Sequence, residues 1–496
     1  MERLTAGMPI PFGGDRATLV SSALAEIFKP GDALLVDQTD GELMHIAREV
    51  RVEVDRAMAH SLRAFREFSR VPDAQINSFF DDAASRLADD DIWKRILAAN
   101  ARDLARAASA GRLSDRLALG DKSRSAMIRG LLSWANLDAG RGRLVEEHFH
   151  DGWRVNAARE PVGVVGFVFE ARPSVIIDAV GVLRTGNVAL LKFGHDARAT
   201  AECLLFQIIE PALANSGLPR GAIGLIDSEN HAATWALLSD RRLGLAVLRG
   251  SGKVVRRLGD VARQSGVPTS LHGTGGAWLV ANHDADPARF RAVVQNSLDR
   301  KVCNTLNVCC VVRSKATELI PMLIETLSLA PARRDTRARI HVVEGSESYL
   351  PEDLFSGSPL SATNDITRRR PFAELISASK LPTEWEWSDA PEISLVVVEG
   401  LDEAINLFNN YAPRFVVSLI SADSVAQDWF YDAVDAPFVG DGFTRWADGQ
   451  YALDRPELGL SNWQEGRPLG RGAILSASDI FTVRYRMSQF DACVSR

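Results

Sequence analysis

Between residues 162 and 281 apolar runs and polar breaks alternate with a steady rhythm. Residues 162–169 (VGVVGFVF) form a continuous apolar run of strand length, the pattern of a strand buried on both faces. Residues 174–184 carry helical spacing, and 187–193 (NVALLKF) predict a second strand. A long amphipathic helix is predicted over 196–216, stopped by Gly217 with Pro219 just beyond. Then come a strand over 222–227, a helix over 229–239, a strand over 245–248, a helix over 251–265, and strands over 267–271 and 278–281. Strands alternating with helices imply a parallel sheet covered on both faces, with ligands beyond the carboxyl ends of its strands.

A second α/β stretch runs from about 284 to 440. It has helices over 318–329, 402–410 and 423–434 and strands over 340–343, 394–398 and 415–420. Residues 42–110 space their apolar positions three and four apart and read as helical. Alternation across 140–160 predicts a hairpin, and residues 480–485 a strand near the end. Residues 1–50, with Pro9, Pro11, Gly13, Gly14, Pro30 and Gly31 around a short strand at 33–36, read as a small appended element without a chemical signature.

The composition, 46% hydrophobic and 24% charged over 496 residues, is that of an ordinary globular chain of several domains. A net charge of -7 without long single-sign blocks gives no reason to expect nucleic acid or an anionic membrane as partner. Five cysteines make no disulfide framework. Cys309 and Cys310 are adjacent, and no CxxC pair or His cluster suggests a metal. The opening MERLTAGMPIPFGG lacks a signal peptide's apolar core. The most apolar region, 162–193, is interrupted by Glu170, Arg172, Asp178, Arg184 and Lys192, so it is no membrane span. The expectation is a soluble cytoplasmic protein.

Two features carry candidate chemistry. Cys303, in Arg300-Lys301-Val302-Cys303-Asn304-Thr305, falls between a predicted helix over 287–299 and the apolar run 308–312. A loop there can expose the sulfur, and Arg300 and Lys301 can favour the thiolate; the alternative is a small core thiol. Arg249-Gly250-Ser251-Gly252, directly before a helix, can cradle a pyrophosphate or be an ordinary strand-to-helix turn. A GxGxxG fingerprint is absent. Gly163 and Gly166 either stand in for part of it or allow close packing.

Further phrases fall in a fixed order: Glu160-Pro161-Val162-Gly163-Val164-Val165-Gly166, Phe169-Glu170-Ala171-Arg172-Pro173, Gly186-Asn187, Leu248-Arg249-Gly250-Ser251, His272-Gly273 and Val302-Cys303-Asn304. Thr444-Arg445-Trp446-Ala447-Asp448-Gly449 and Glu457-Leu458-Gly459-Leu460-Ser461 follow, and Ile96-Leu97-Ala98-Ala99-Asn100-Ala101-Arg102-Asp103-Leu104 precedes them. Their order and spacing resemble the γ-glutamyl phosphate reductases, a branch of the aldehyde dehydrogenase superfamily, over roughly residues 55–490.

The resemblance implies an aldehyde dehydrogenase-like α/β fold. Its parts would be a Rossmann-like cofactor domain (51–134 and 159–271), a catalytic domain (272–465) and a β-flap for homo-oligomerisation (135–158 and 466–496), with 1–50 outside it. It implies a reaction in which the Cys303 thiolate attacks an acyl phosphate, phosphate leaves, and hydride from NADPH reduces the thioester to an aldehyde. An amino-acid kinase would supply the acyl phosphate. Cys303 and Asn304 are the catalytic candidates. The water-activating Glu of hydrolytic relatives falls near Leu271, so the thioester should meet hydride instead of water. Their oxyanion Asn falls near Ala171, leaving the oxyanion to backbone N–H groups near Cys303. Glu170 and Arg172 are substrate-binding candidates, Arg172 for phosphate or else for a structural ion pair. Arg445 either binds a substrate carboxylate or pairs with Asp448. For the cofactor, Lys192 and His195 flank the adenosine ribose without a repelling carboxylate, favouring NADP(H). Arg249, Gly250 and Ser251 cradle the pyrophosphate, and Glu386 is the candidate for the ribose.

Departures from the family lie at Asp299-Arg300-Lys301, at Ser174, at Pro413-Arg414-Phe415-Val416 and across 345–390. They bear on the substrate more than on the reaction type. Two other readings remain: a CoA-acylating aldehyde dehydrogenase, and a non-catalytic relative acting as an assembly partner.

Overall fold

The computed structural model describes residues 2–112, 117–169, 172–329, 337–356, 371–387, 390–448, 452–453, 456–460 and 473–494. The chain divides into two compact units, residues 1–273 with 454–460 and 474–496, and residues 274–453 with 461–473.

The first unit begins with two antiparallel hairpins, β1 (Pro9–Phe12) with β2 (Arg16–Leu19) and β3 (Ala33–Val36) with β4 (Leu43–Ile46), joined through α1 (Ser22–Ile27). The helical expectation for 42–110 therefore fails at its start. Leu43–Ile46 alternates half-buried and buried positions, the period of a strand, and Gly41 (φ +80°) makes the turn that returns it to β3. Leu4, Val20 and Phe28 form a small core of their own. The Asp32 carboxylate sews this segment to the next helix: it accepts from the Lys29 N–H (2.8 Å), the Arg48 N–H (2.8 Å) and His45 Nε2 (2.7 Å).

Three helices follow, α2 (Arg48–Phe68), α3 (Asp73–Ala88) and α4 (Asp90–Ser109). Pro72 stands at the N-cap of α3. The Asp89 carboxylate caps α4 by accepting from the Asp91 and Ile92 N–H groups, both at 2.9 Å. A further helix, α5 (Asp121–Asn136), lies in a stretch for which the pattern gives no element, and the expected hairpin follows as β5 (Leu144–His150) and β6 (Trp153–Glu160).

The core of this unit is a five-stranded parallel sheet of β7 (Val164–Phe169), β8 (Val188–Phe193), β9 (Ile223–Leu225), β10 (Leu243–Arg249) and β11 (Thr269–His272), in the order β11-β10-β7-β8-β9. Connecting helices are α6 (Ile176–Ala179), α7 (Arg198–Leu204), α8 (Glu210–Asn215), α9 (Ala232–Leu238) and α10 (Gly252–Gln264). The strand order reverses between β7 and β10. Their carboxyl-terminal residues Phe169 and Arg249 are register partners, so the switch-point crevice opens there. The helix expected over 196–216 is interrupted by a π turn at Leu205–Ile209. Pro211 in α8 offers no N–H, and its ring would crowd the carbonyl four residues earlier; one wide turn relieves both. Gly163 sits at φ +120°, outside the reach of other residues, whereas a Cβ on Gly166 would press to 3.0 Å from Leu243 Cδ1. The first glycine serves conformation and the second packing.

The second unit holds a seven-stranded parallel sheet in the order β15-β14-β16-β13-β12-β17-β18. Its strands are β12 (Ala277–Ala281), β13 (Leu306–Val312), β14 (Arg339–Val343), β15 (Ala373–Ile376), β16 (Glu392–Val398), β17 (Val416–Ile420) and β18 (Phe438–Gly440). Its helices are α11 (Pro287–Asn296), α12 (Arg313–Leu329), α13 (Leu401–Tyr411) and α14 (Ser424–Ala433). Every residue of β13 is buried, and alternate side chains enter opposite cores: Cys309 joins one and Cys310 the other.

Two pieces complete the first unit. β19 (Gly459–Leu460) pairs with β20 (Ile474–Leu475), and β21 (Thr482–Gln489) runs antiparallel along β6 to give the three-stranded sheet β21-β6-β5. Among the described residues no helix is long and apolar enough to cross a membrane.

Candidate active site

Cys303 lies where the sequence puts it, on a turn between α11 and β13, half-buried. The turn is closed locally. The Thr305 N–H donates to the Val302 carbonyl (3.1 Å), and the Thr305 hydroxyl accepts from the Val302 N–H (2.9 Å) while donating to the Arg300 carbonyl (2.7 Å). The approach to β12 braces it from the other side. The Gly276 N–H donates to the Cys303 carbonyl (2.7 Å) and the Ala277 N–H to the Thr305 carbonyl (2.9 Å). A Cβ on Gly275 would fall 2.6 Å from Cys303 Cα and 2.8 Å from Cys303 Cβ, so only glycine fits against the Cys303 backbone. The Asn304 N–H has no hydrogen-bond partner among the described residues, which suits a donor to an oxyanion. Burial pushes the Cys309 thiol up to about 12 and the Cys310 thiol well above its usual value, so the two neighbouring cysteines are inert.

The flanking charges differ from the sequence expectation. Arg300 is exposed and stands 4.0 Å from Asp299. The Lys301 ammonium is buried and donates a hydrogen bond to Glu384 Oε1 (2.8 Å). Neither is a free cation beside the sulfur. The Asn304 side chain is likewise committed: Nδ2 donates to the Ala447 carbonyl (2.9 Å), and Oδ1 accepts from Arg445. Arg445 also donates through Nε to Asp299 (2.8 Å). Two of its three guanidinium nitrogens are thus held, by Asp299 and by Asn304. Asn304 and Arg445 anchor the turn to the 444–447 segment, with the Thr444 hydroxyl donating to the Asn304 carbonyl (2.7 Å). Glu386 is exposed. Glu384, which the sequence reading passed over, is the acidic residue that reaches the Cys303 turn.

In the first unit, Arg249, Gly250 and Ser251 form the link from β10 to α10. Ser251 is the N-cap residue and its side chain makes no capping hydrogen bond, so among the described residues first-turn N–H groups remain for an anion. Arg249 Nη1 donates to Asp178 (3.0 Å), and the Gly250 N–H to the His272 carbonyl (3.3 Å). Lys192 is buried at the end of β8, with Nζ donating to the Phe193 carbonyl (2.9 Å), and burial pulls its pKa down. His195 begins the turn after β8. The adjacent Asp196 is doubly bonded by Arg112 (3.0 and 2.9 Å), which holds that carboxyl below its usual range. Arg172 is exposed just past β7, on the crevice side of the sheet, and Glu170 lies outside the described residues. Leu271 is a buried core residue of β11, its Cδ1 where a Cβ on Gly259 would meet it at 2.7 Å.

A sequence profile described as the aldehyde dehydrogenase family matches residues 34–336. Among solved structures, a γ-glutamyl phosphate reductase from Thermotoga maritima superposes with a TM-score of 0.75 at 22% identity, covering 90% of this chain and 100% of that one. An engineered glycolyl-CoA reductase with bound NADP+ gives 0.60 at 16% identity, covering 88% and 96%. A propionaldehyde dehydrogenase from Rhodopseudomonas palustris, solved with CoA and an acylated cysteine, gives 0.60 at 15%, covering 88% and 96%.

Proposed function

The chain belongs to the aldehyde dehydrogenase family, and from that premise we propose that it reduces an acyl phosphate, γ-glutamyl phosphate or a related amino-acid acyl phosphate, to the aldehyde with NADPH. The observation that carries the reading is the Cys303 turn, a half-buried thiol braced on both sides, with an Asn304 N–H that has no partner among the described residues and inert cysteines in the adjoining strand. The Cys303 thiolate adds to the acyl carbon while the Asn304 N–H bonds the developing oxyanion. The bond from carbon to the phosphate oxygen then breaks, phosphate leaves with the electron pair, and a thioester remains. Arg172 offers a planar fork to the phosphoryl oxygens. Position 271 is the buried Leu271, so it offers no carboxylate to activate water against the thioester.

The uncapped N-terminus of α10 and the Arg249-Gly250-Ser251 link fit a cofactor pyrophosphate. Lys192 and His195, with Asp196 already neutralised by Arg112, suit a 2'-phosphate. Bound NADPH supplies the hydride that converts the thioester to the aldehyde. The exposed apolar side chains of β5 and β21, among them Phe149, Tyr485 and Met487, support a homo-oligomer built through that sheet. A kinase-type reaction must supply the acyl phosphate.

The test runs the reaction in reverse: phosphate-dependent oxidation of glutamate γ-semialdehyde with NADP, wild type against Cys303→Ala. Activity that needs both phosphate and Cys303 supports the reading. Activity that needs CoA and not phosphate replaces it with the CoA-acylating alternative, which the likeness to the CoA-bound structure favours. A protein that neither turns over nor binds NADPH is a non-catalytic relative.

A further inference from the structure

Glu384 is held with unusual care for a residue on an irregular segment. Asn307, one residue into β13, clamps both of its neighbours: Nδ2 donates to the Thr383 carbonyl (2.9 Å), and Oδ1 accepts from the Trp385 N–H (3.0 Å). Trp385 is fixed further by its indole N–H, which donates to Ser394 Oγ (2.9 Å). Between these clamps the Glu384 carboxylate bridges a backbone N–H and a side-chain ammonium. Oε2 accepts from the Gly275 N–H (2.6 Å) and Oε1 from the Lys301 ammonium (2.8 Å), whose side chain is only 5% exposed. Gly275 abuts Cys303, and Lys301 lies two residues before it in the same turn. The carboxylate is therefore tied to both segments that form the nucleophile's seat.

We infer that Lys301 and Glu384 are a charge-balanced positioning pair for Cys303, a role that rests on the reading of Cys303 as the nucleophile. Glu384 fixes where the thiol stands, and Lys301 cancels the field that a buried carboxylate would otherwise impose on it. Following the contacts from Glu384 Oε2 through Gly275, the carboxylate lies less than about 9 Å from Cys303 Cβ. At that range, and at a dielectric between protein and water, one unbalanced charge moves a thiol pKa by about one unit, a tenfold change in thiolate fraction. The two members act with opposite sign. Removing the Glu384 charge unmasks the ammonium and favours the thiolate. Removing the Lys301 charge unmasks the carboxylate and disfavours it.

The experiment measures the rate of iodoacetamide alkylation of Cys303 against pH, read on its own peptide by mass spectrometry, in full-length wild type, Glu384→Gln, Lys301→Met and the double variant. The expected result is a profile shifted about one pH unit down in Glu384→Gln and about one unit up in Lys301→Met, with the double variant back near wild type. All three should lose kcat more than KM, because the seat is loosened in each. Shifts in the same direction, or none, overturn the inference, since a purely structural contact has no reason to act with opposite signs. If those variants fold poorly, the charge-conserving pair decides. Lys301→Arg and Glu384→Asp should leave the alkylation profile in place, with kcat lowered in Glu384→Asp alone, and a displaced profile in either refutes the charge argument. Because alkylation needs no acyl phosphate, the result is independent of the substrate. Failure of the nucleophile reading shows separately, as activity retained by Cys303→Ala.

Discussion

Gly275→Ala is the sharpest probe of the nucleophile's seat. The added methyl carbon would stand 2.6 Å from Cys303 Cα and 2.8 Å from Cys303 Cβ. Carbon atoms settle at about 3.5–4.0 Å, so one backbone must retreat by about 1 Å. Neither is free to do so. The Gly276 N–H is bonded to the Cys303 carbonyl (2.7 Å), the Ala277 N–H to the Thr305 carbonyl (2.9 Å), and the Gly275 N–H to Glu384 (2.6 Å). Overpacking of this kind costs about 1–3 kcal/mol of stability, which a protein of this size survives. The kinetic effect is larger, because about 1 Å of misplacement at a reacting atom lowers the rate on the order of a hundredfold. The assay is kcat for the phosphate-dependent, NADP-linked reaction, with the alkylation rate of Cys303 at fixed pH and far-UV circular dichroism as controls. The reasoning fails if Gly275→Ala folds and retains kcat within about threefold of wild type with unchanged alkylation. Residues 273–276 would then yield without moving the thiol.

Three further outcomes are expected. Although burial pushes the Asp32 carboxyl up, the Lys29 N–H, His45 and the Arg48 N–H together hold it below its usual value. The stability it contributes is therefore full above about pH 4 and lost as pH falls through the lowered folded value; Asp32→Ala should cost about 2 kcal/mol or more in urea unfolding at pH 7 and converge with wild type in acid. Lys192→Gln should raise KM for NADPH about tenfold and leave NADH little changed. In wild type the preference for NADPH should fade as pH rises through the Lys192 pKa, which burial sets below that of a solvated lysine, and a preference constant to pH 10 or so would contradict this. Iodoacetamide at pH 8 should modify Cys493, which is exposed, and Cys303, while Cys309, raised to about 12, stays unlabelled in the folded protein; labelling of Cys309 before unfolding would mean that β13 opens.

Much of the fold could be read from the chain because its signals are local. Apolar runs such as 164–169 and 188–193 announce strands buried on both faces, and Gly217 ends a helix by its own conformation (φ +71°). Where the pattern misled, a local rule lost to a competing one. Leu43–Ile46 sits at the head of a helical-looking stretch yet follows Gly41, and pairing with Ala33–Val36 wins. The long helix over 196–216 is continuous in amphipathic pattern, but Pro211 forces a π turn that no periodicity reveals.

The site divides along the same line. The position of Cys303 was legible because a thiol on a helix-to-strand turn is a local signature, and so was the glycine-flanked link at Ser251 before a helix. The partners of these residues were not. Arg445 meets Asn304 across 141 positions, Gly275 meets Glu384 across 109, and Lys301 meets Glu384 across 83. Sequence proximity made Lys301 a free cation favouring the thiolate, whereas the fold returns a carboxylate to it from a distant segment. The sequence singled out Glu386 as a ribose candidate and gave Glu384 no role, whereas the clamps from Asn307 on Thr383 and Trp385 hold Glu384 at the Cys303 turn. A buried ammonium needs a counter-charge, so the sequence implied that some acidic residue would arrive once Lys301 was known to be buried. Which one arrives depends on the β13 to β16 pairing that carries the 383–385 segment alongside Asn307, and that pairing is set by the packing of the whole sheet.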